Sequence, residues 1–289
     1  MRTLAMLPVV VVAGAVAGGA LAAENLPPPL DAVVAAERAF AKRCGEVGIR
    51  ASFLEFFASD AVSFLPDPGN ARERLEKRPK EPPPILLAWA PEQAEIASSG
   101  ELGWTTGPFE LTDKSPSPRP PAHGYYFSLW KKQPDGTWKV VLDQGVATPA
   151  APMPAVAQAV GPTGKAGAGA GAGDAAAVRR RDEEFCKSAE AGAGKAYAAS
   201  LAAEARVHRD GAAPVVGDRA VRAWAKSLAG VMACKPAAAF ASGGLGYTYG
   251  SWEARATPGG PAAEKGFYTR VWRLDGGWRI AADVASSVK

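Results

Sequence analysis

The residues of this 289-residue chain that could move a proton are few and widely spaced. His208 stands out, because a histidine held in a pocket titrates near neutral pH. Glu253 lies shortly after Tyr247 and Tyr249, so one strand would carry a carboxylate and two phenols. Such groups suit proton transfer, in which an imidazole or carboxylate takes the proton and a tyrosine donates a hydrogen bond. We therefore take His208 and Glu253 as candidate acid/base groups.

A structural role for His208 stays open beside the catalytic one. It follows Val207 on a short predicted strand, and alternation places the two side chains on opposite faces. Burying Val207 would therefore expose His208. His123, in a predicted loop, is interpreted as a surface residue. Two histidines this far apart predict no metal site.

Aromatic side chains form a second kind of candidate, a wall against which a small apolar molecule packs. The predicted ligand-binding residues are Trp104, Glu110, Tyr126, Trp130, His208, Tyr247, Tyr249, Glu253, Tyr268 and Trp272. The strands that carry them are aromatic on both faces, which is also typical of a sheet packed between helices and a second sheet. On that alternative, Trp130 and Trp272 join the two halves as a pseudodimer within one chain.

The last predicted strand of each half carries an aspartate, Asp143 or Asp283. Strict alternation puts Asp143 on one face with Lys139 and Val141, opposite Trp138. Ion pairing at the surface is therefore the predicted role of both aspartates.

The second half of the chain repeats the pattern of the first. Residues 36–40 correspond to 181–185, 60–63 to 205–208 without a gap, 100–110 to 243–253, and 124–143 to 266–283. A period this long predicts two domains rather than a solenoid.

Composition divides the chain into four segments. Residues 1–23 read as a signal peptide, because Arg2 precedes an apolar run and Ala20-Leu21-Ala22 matches a cleavage pattern. Residues 24–148 and 174–289 form the two domains, joined by a Pro/Ala/Gly linker over 149–173 that we expect to be disordered. Cleavage near Ala22 predicts a periplasmic or secreted protein with no membrane attachment, and an uncleaved anchor is the alternative.

An exported chain is free to form disulfides. Three cysteines leave at least one unpaired within a monomer. Cys186 and Cys234 fall in one predicted domain and are the preferred pair, with Cys44 free; three buried thiols are the alternative.

Charge and glycine patterns exclude other partners. The net charge is +4, and the basic run at 179–181 is followed at once by acids at 182–184, as on a solvated helix face. We therefore expect no nucleic-acid partner. No glycine motif has the strand–helix context of a nucleotide loop, so no cofactor is expected.

Within each half, helices precede strands. Apolar residues over 30–47 recur at helical spacing, a second helix is predicted over 51–58, and Asn70 caps a third over 71–78. Asp218 is expected to cap a helix over 219–229. The strands then pair as hairpins across turns at 99–101 and 134–136. The predicted fold class is α+β: two cone-shaped domains, each a curved antiparallel sheet covered by about three helices.

The strand motifs resemble those of SnoaL-like domains in the nuclear transport factor 2-like superfamily. The motif residues are those of 100–107, Gly124-Tyr125-Tyr126, Trp130 and 135–140, with the second copy at 245–250 and 266–278. The resemblance implies an apolar pocket in each domain. In enzymatic relatives an Asp, His or Tyr lies in that pocket. Many relatives carry histidines four and six residues after the last-strand tryptophan; here Leu142, Gln144, Ala282 and Val284 stand there.

The sequence thus predicts an exported tandem SnoaL-like protein that binds a small apolar ligand or serves assembly, without catalysis. One alternative is a pocket enzyme of isomerase, dehydratase or hydrolase type that uses the acid/base groups of the second domain. Another is a protein-interaction module. The two domains are expected to pair within the chain, or the chain to form a homodimer.

Overall fold

The computed structural model describes residues 28–64, 66–80, 84–150, 161–162 and 174–288. The predicted signal peptide, residues 1–23, lies outside these ranges, as does most of the predicted linker over 149–173.

Each half consists of helices followed by a sheet. The first half contains α1 (Pro28–Phe56), β1 (Phe57–Ser63), β2 (Gly69–Asn70), α2 (Ala71–Glu76), β3 (Ile85–Trp89), β4 (Gln93–Ile96), β5 (Leu102–Asp113), β6 (Ala122–Lys132), β7 (Trp138–Ala147) and β8 (Gly161–Pro162). The second half contains α3 (Ala175–Ala189), α4 (Ala193–Ser200), β9 (Leu201–Arg209), β10 (Val215–Val216), α5 (Asp218–Ser227), β11 (Val231–Ser242), β12 (Leu245–Arg255), β13 (Ala262–Leu274) and β14 (Trp278–Ser287).

The first six strands along each sheet follow the same order, and the first sheet has β8 in addition. The first runs β2-β1-β7-β6-β5-β4-β8, with β3 also paired to β5, and the second runs β10-β9-β14-β13-β12-β11. Consecutive long strands pair antiparallel, as predicted, but β1 lies parallel to β7 and β9 parallel to β14. Parallel neighbours need a long connection, and the remaining strands of each half supply it. The α+β class, with helices and a sheet in each half, is confirmed.

The long helix α1 is kinked at Gly48, whose backbone has φ 80° and ψ 171°. The kink divides α1 into the two helices that the sequence predicts. Asn70 caps α2 through its side chain, which accepts a hydrogen bond from the Glu73 N–H. At α5 the expected cap is wrong: Asp218 is the first helical residue, and it pairs with Arg222 one turn on.

The last strand of each sheet contains a β-bulge. On β7, Val140 and Leu142 pair with adjacent residues of β6, so Val141 is an extra residue. Ala281 is the matching extra residue on β14. An extra residue exchanges the two faces of the strand beyond it.

These bulges overturn the surface role predicted for Asp143 and Asp283. Strict alternation placed both aspartates with outward-facing neighbours. Beyond the bulge they face the helices instead, so Asp283 is fully buried and Asp143 lines a cavity.

The two sheets pack on each other through the faces turned away from their helices. The first half contributes Phe64, Ala97, Leu102, Trp104, Phe127, Leu129, Leu142 and Val146, and the second contributes Leu245, Val271, Ala281, Ala282 and Val284. Trp130 and Trp272 were expected at such a contact. They lie instead in the helix-facing cores, because they stand on the alternate face of their strands.

Polar contacts accompany this apolar packing. Arg273 donates from Nε and Nη2 to the two carboxylate oxygens of Glu95, at 2.6 and 2.9 Å, and both side chains are buried. Arg206 donates to Glu92 at 2.7 Å. Gln144 of β7 donates to the Phe267 carbonyl at 3.0 Å.

Cys186 on α3 and Cys234 on β11 form a disulfide, with Cα atoms 5.3 Å apart. Cys44 is a buried free thiol. Of the helices in the described ranges, none is long and apolar enough to cross a membrane.

Candidate functional site

The first half contains a cavity of about 410 Å³ between its helices and the helix-facing side of its sheet. Volumes of this size are typical of small-molecule sites. The apolar wall consists of Phe40, Ile49, Phe53, Phe57, Ala71, Leu75, Ile85, Leu87, Trp89, Phe109 and Leu111. The polar lining residues are Ser63, Arg74, Arg78, Tyr126, Ser128 and Asp143.

Asp143 enters the cavity because of the bulge before it. Its register partner on β6 is Ser128, whose hydroxyl donates to the Asp143 carboxylate at 2.9 Å. Burial disfavours the charged form and raises the pKa of Asp143 to about 6, although the Ser128 hydrogen bond opposes the shift. The carboxyl group therefore changes charge just below neutral pH.

Tyr126 lies two residues before Ser128 on the same face of β6. Tyr126 is 8% exposed, and its hydroxyl makes no well-formed hydrogen bond to a described residue. Burial, and next the charge of Glu37, raise the pKa of Tyr126 well above its ordinary value, so the phenol keeps its proton. The neighbouring Thr105 hydroxyl lowers the pKa of Tyr126 slightly, but it donates to Glu37. A buried donor without a partner is costly, and a ligand in the cavity would satisfy it.

Glu37 is buried on α1, on the face of the helix that packs against the sheet. Its carboxylate accepts hydrogen bonds from Trp89 Nε1, Thr105 Oγ1 and Trp130 Nε1. Burial raises its pKa to about 7 in spite of these three donors. Two carboxyl groups that titrate near neutral pH therefore lie in or beside this cavity.

The second half has a residue at each of the equivalent positions. Tyr268 faces Gly250 across the sheet as Tyr126 faces Gly107. Arg270 pairs with Asp283 in the register in which Ser128 pairs with Asp143. In the repeat, Asp182 corresponds to Glu37.

Ionised side chains fill this region of the second half. Arg270 donates to Asp182 at 2.6 Å and to Asp283 at 2.7 Å, and all three side chains are buried. Arg209 also pairs with Asp283, at 2.6 Å. Burial alone would raise the pKa of Asp283, but the two arginines lower it below its ordinary value.

His208 lies between the two sheets rather than in a cavity. Its ring centroid is 5.6 Å from that of Tyr125 and 6.2 Å from that of Phe127. Burial, with help from Arg206 and Arg209, lowers its pKa well below 6.5, so the imidazole is neutral at physiological pH.

The exposure predicted for His208 is wrong because both faces of β9 are covered. Val207 is buried toward α5, and His208 is buried toward the first half. The predicted alignment of residues 60–63 with residues 205–208 is also wrong by one residue. In strand register Ser63 matches Val207, and Phe64 matches His208.

The two glutamates predicted as site residues are at the surface. The side chain of Glu253 is 41% exposed and pairs with Arg255. Glu110 is 40% exposed and lies 3.8 Å from His123. The structure does not bring His208 and Glu253 into one pocket.

The predicted aromatic residues fall into two groups. Trp104, Tyr247 and Tyr249 belong to the contact between the sheets, whereas Trp130, Tyr268 and Trp272 belong to the helix-facing cores. Of the ten predicted ligand-binding residues, Tyr126 is the one that lines the cavity.

Sequence reasoning missed Glu37, Ser128 and Asp143. Glu37 left a detectable signal, because it lies four residues after Val33 and three before Phe40 on an apolar helix face. A carboxylate inside an apolar stripe is the kind of residue that burial perturbs.

Several solved structures are similar to about two fifths of the chain. A ketosteroid isomerase-like protein from Erwinia carotovora atroseptica matches at TM-score 0.34 and 14% identity, over 40% of this chain and 96% of its own. An NTF2-like protein with a cystatin-like fold from Novosphingobium aromaticivorans matches at TM-score 0.34 and 15% identity, over 39% and 81%. An NTF2-like protein of unknown function from Shewanella oneidensis MR-1 matches at TM-score 0.31 and 17% identity, over 38% and 97%.

No family model and no curated protein matches the chain. TM-scores and identities this low establish neither a family nor an activity.

Proposed function

We propose that the first half binds one small, mainly apolar organic molecule, and that the second half is its structural partner. The observation that carries this proposal is the cavity of about 410 Å³ with the unpartnered hydroxyl of Tyr126. A ligand with one polar group would contact Tyr126 and Asp143 and bury its apolar part against the aromatic wall. The matching region of the second half is filled by Arg270 and its partners.

The wider proposal is an exported protein with two SnoaL-like domains that pair within the chain. The signal-peptide pattern supports export, and the common strand order of the two sheets supports the tandem arrangement. The apolar contact between the sheets and the buried Arg273–Glu95 pair support a pseudodimer. Side chains that an interaction module would expose, such as Trp104 and Tyr249, pack between the sheets instead.

Fluorescence titration with the neutral apolar dye N-phenyl-1-naphthylamine tests ligand binding. We expect saturable binding at one site in the wild type and loss of binding in Ser128→Arg, because the new guanidinium fills the cavity. Ser117→Arg makes the same replacement at an exposed serine and should bind as the wild type does. No saturable binding, or equal binding by both variants, would contradict the proposal.

Proton-transfer catalysis in the same cavity is a second candidate function. It is favoured by Asp143, whose pKa of about 6 suits a general base, and by the nearby Tyr126 donor. The alternative based on second-half groups has less support, since the Glu253 side chain is 41% exposed and His208 lies between the sheets. NMR of deuterium uptake from D₂O at the acidic C–H of a cyclic enone tests the first-half site. Uptake that Asp143→Asn does not slow would exclude this role for Asp143.

A further inference from the structure

The second half contains a complete receptor for a guanidinium group, and its occupant is Arg270. The guanidinium is held by carboxylates on two sides, Asp182 at 2.6 Å and Asp283 at 2.7 Å. Its central carbon also lies over two aromatic rings, 4.2 Å from the centroid of Phe185 and 3.9 Å from that of Tyr268. Paired carboxylates and aromatic faces are the groups that proteins use to bind organic cations.

The first half has the corresponding carboxyl groups and aromatic rings, but it has no arginine between them. Glu37 and Asp143 stand where the second half has its carboxylates, and Phe40 and Tyr126 stand where it has its rings. The arginine position holds Ser128 instead. Phe40, Tyr126, Ser128 and Asp143 all line the cavity, so the side chain that is missing from this half corresponds to open space.

We propose that the ligand of the first half is an organic cation, a guanidinium or primary ammonium group on an apolar body, which takes the place that Arg270 fills in the second half. This inference rests on the proposed binding function and names its ligand class. The cationic group would lie against Asp143, between the rings of Phe40 and Tyr126. The body would lie against the remaining aromatic and aliphatic wall.

The unpartnered hydroxyl of Tyr126 is an independent sign of a missing ligand. Its counterpart Tyr268 donates to Asp182 at 2.7 Å. In the first half the Tyr126 hydroxyl has no such acceptor among the described residues, and Glu37 accepts from two indoles and Thr105 instead. An acceptor or a π-face contact supplied by the ligand would complete the site.

The other charged groups that face Asp143 must be consistent with a cation. On α1, the carboxyl group of Glu37 has a pKa of about 7, so it is either neutral or negatively charged. On β6, the phenol of Tyr126 is neutral. From the α2 side, Arg74 and Arg78 also line the cavity. Arg74 is held by the Asp67 carboxylate at 2.7 Å and by the Ser63 carbonyl at 3.3 Å. The cationic group is therefore placed at the Ser128–Asp143 end of the cavity.

Competition between two near-isosteric probes tests the charge preference. Phenylguanidinium and its uncharged counterpart phenylurea would each displace N-phenyl-1-naphthylamine from the full-length protein. At pH 8 we expect phenylguanidinium to bind at least tenfold more tightly than phenylurea. This preference should shrink below about pH 6 as Asp143 takes up its proton. The phenylurea affinity should change little over the same range.

Asp143→Asn supplies the decisive variant, and Asp135→Asn, on an exposed turn, is its matched control. The first should abolish the preference for the cation, and the second should leave both that preference and dye binding unchanged. Equal affinities for the two probes at pH 8, or a preference that survives in Asp143→Asn, would overturn the cation inference. A wild-type protein that does not bind the dye would instead refute the proposed binding function. Failure of the cation inference and failure of the binding function therefore give different results.

Discussion

Tyr126 and Tyr268 occupy the same strand position, but only one hydroxyl has a partner. Tyr268 donates to the buried Asp182 at 2.7 Å, whereas the hydroxyl of Tyr126 is buried without a hydrogen bond in the described part of the chain. The Tyr268 hydroxyl therefore stabilises the fold, whereas the Tyr126 hydroxyl is available to a ligand.

Removing each hydroxyl should have unequal effects on stability. Tyr268→Phe leaves Asp182 short of a donor and should lower the free energy of unfolding by about 1–3 kcal/mol. Tyr126→Phe removes a buried hydroxyl that has no partner, so it should raise the free energy of unfolding by about 1 kcal/mol. Urea denaturation of the ligand-free protein measures both. Equal losses would mean that the Tyr126 hydroxyl has a partner in the folded state.

The raised pKa of Asp143 predicts a pH-dependent stability. Its folded-state pKa of about 6 exceeds the ordinary value of 3.8, so the folded state binds more protons between these two values. The contribution of Asp143 is therefore fully present below about pH 4 and is lost as pH rises to about 6. We expect the stability of the wild type relative to Asp143→Asn to fall by up to about 3 kcal/mol across this window.

Chemical denaturation of both proteins at intervals from pH 4 to 7 measures that difference. Asp135 is a useful control, because hydrogen bonds from Thr137 lower its pKa and its effect has the opposite sign. A stability difference that stays flat with pH would show that Asp143 titrates in the folded state as it does in water.

At the scale of single elements, the kink in α1 depends on one glycine. Gly48 has φ 80° and ψ 171°, a combination open almost only to glycine, while Gly45, three residues earlier, has open space where a Cβ would be. Gly48→Ala should destabilise the protein by about 1–3 kcal/mol. Gly45→Ala should stabilise it by about 0.5–1 kcal/mol, because alanine favours a helix interior. Thermal unfolding of the two variants measures this contrast, and a neutral Gly48→Ala would mean that α1 can straighten.

The hairpins and the helix N-cap at Asn70 could be predicted because their signals are local: turn residues, alternation and a capping side chain. The cavity could not, because it depends on the extra residue at Val141. Nothing near Val141 in the sequence marks a bulge, and without one the alternation rule assigns Asp143 to the wrong face. The position of His208 was missed for a related reason, since the face of β9 that it occupies is covered by the other half of the chain.

At the scale of the whole molecule, the contact between the sheets predicts that the halves stay together without a covalent connection. An apolar core shared by both sheets and the buried Arg273–Glu95 pair would hold them. A protease site inserted within residues 149–173 and then cut should leave the two fragments eluting as one species in size-exclusion chromatography. Fragments that separate in native buffer would contradict the pseudodimer proposal.

The Arg273–Glu95 pair also allows a graded version of this test. Glu95→Gln leaves the buried guanidinium of Arg273 without its charge partner, which costs about 3–5 kcal/mol in buried ion pairs. The cut fragments of this variant should separate at a lower urea concentration than the cut wild-type fragments do. Glu101→Gln, at an exposed residue near the same contact, should have no comparable effect.

The presence of both sheets in one polypeptide has a consequence for what each site can become. In a symmetric dimer of identical chains, every amino-acid replacement appears twice, so an arginine that rigidifies one subunit also blocks the other. Here the codon for Ser128 and the codon for Arg270 change independently. Ion pairs can therefore fill the interior of one half, which then acts as a rigid support. The other half can keep a cavity that is open to a ligand.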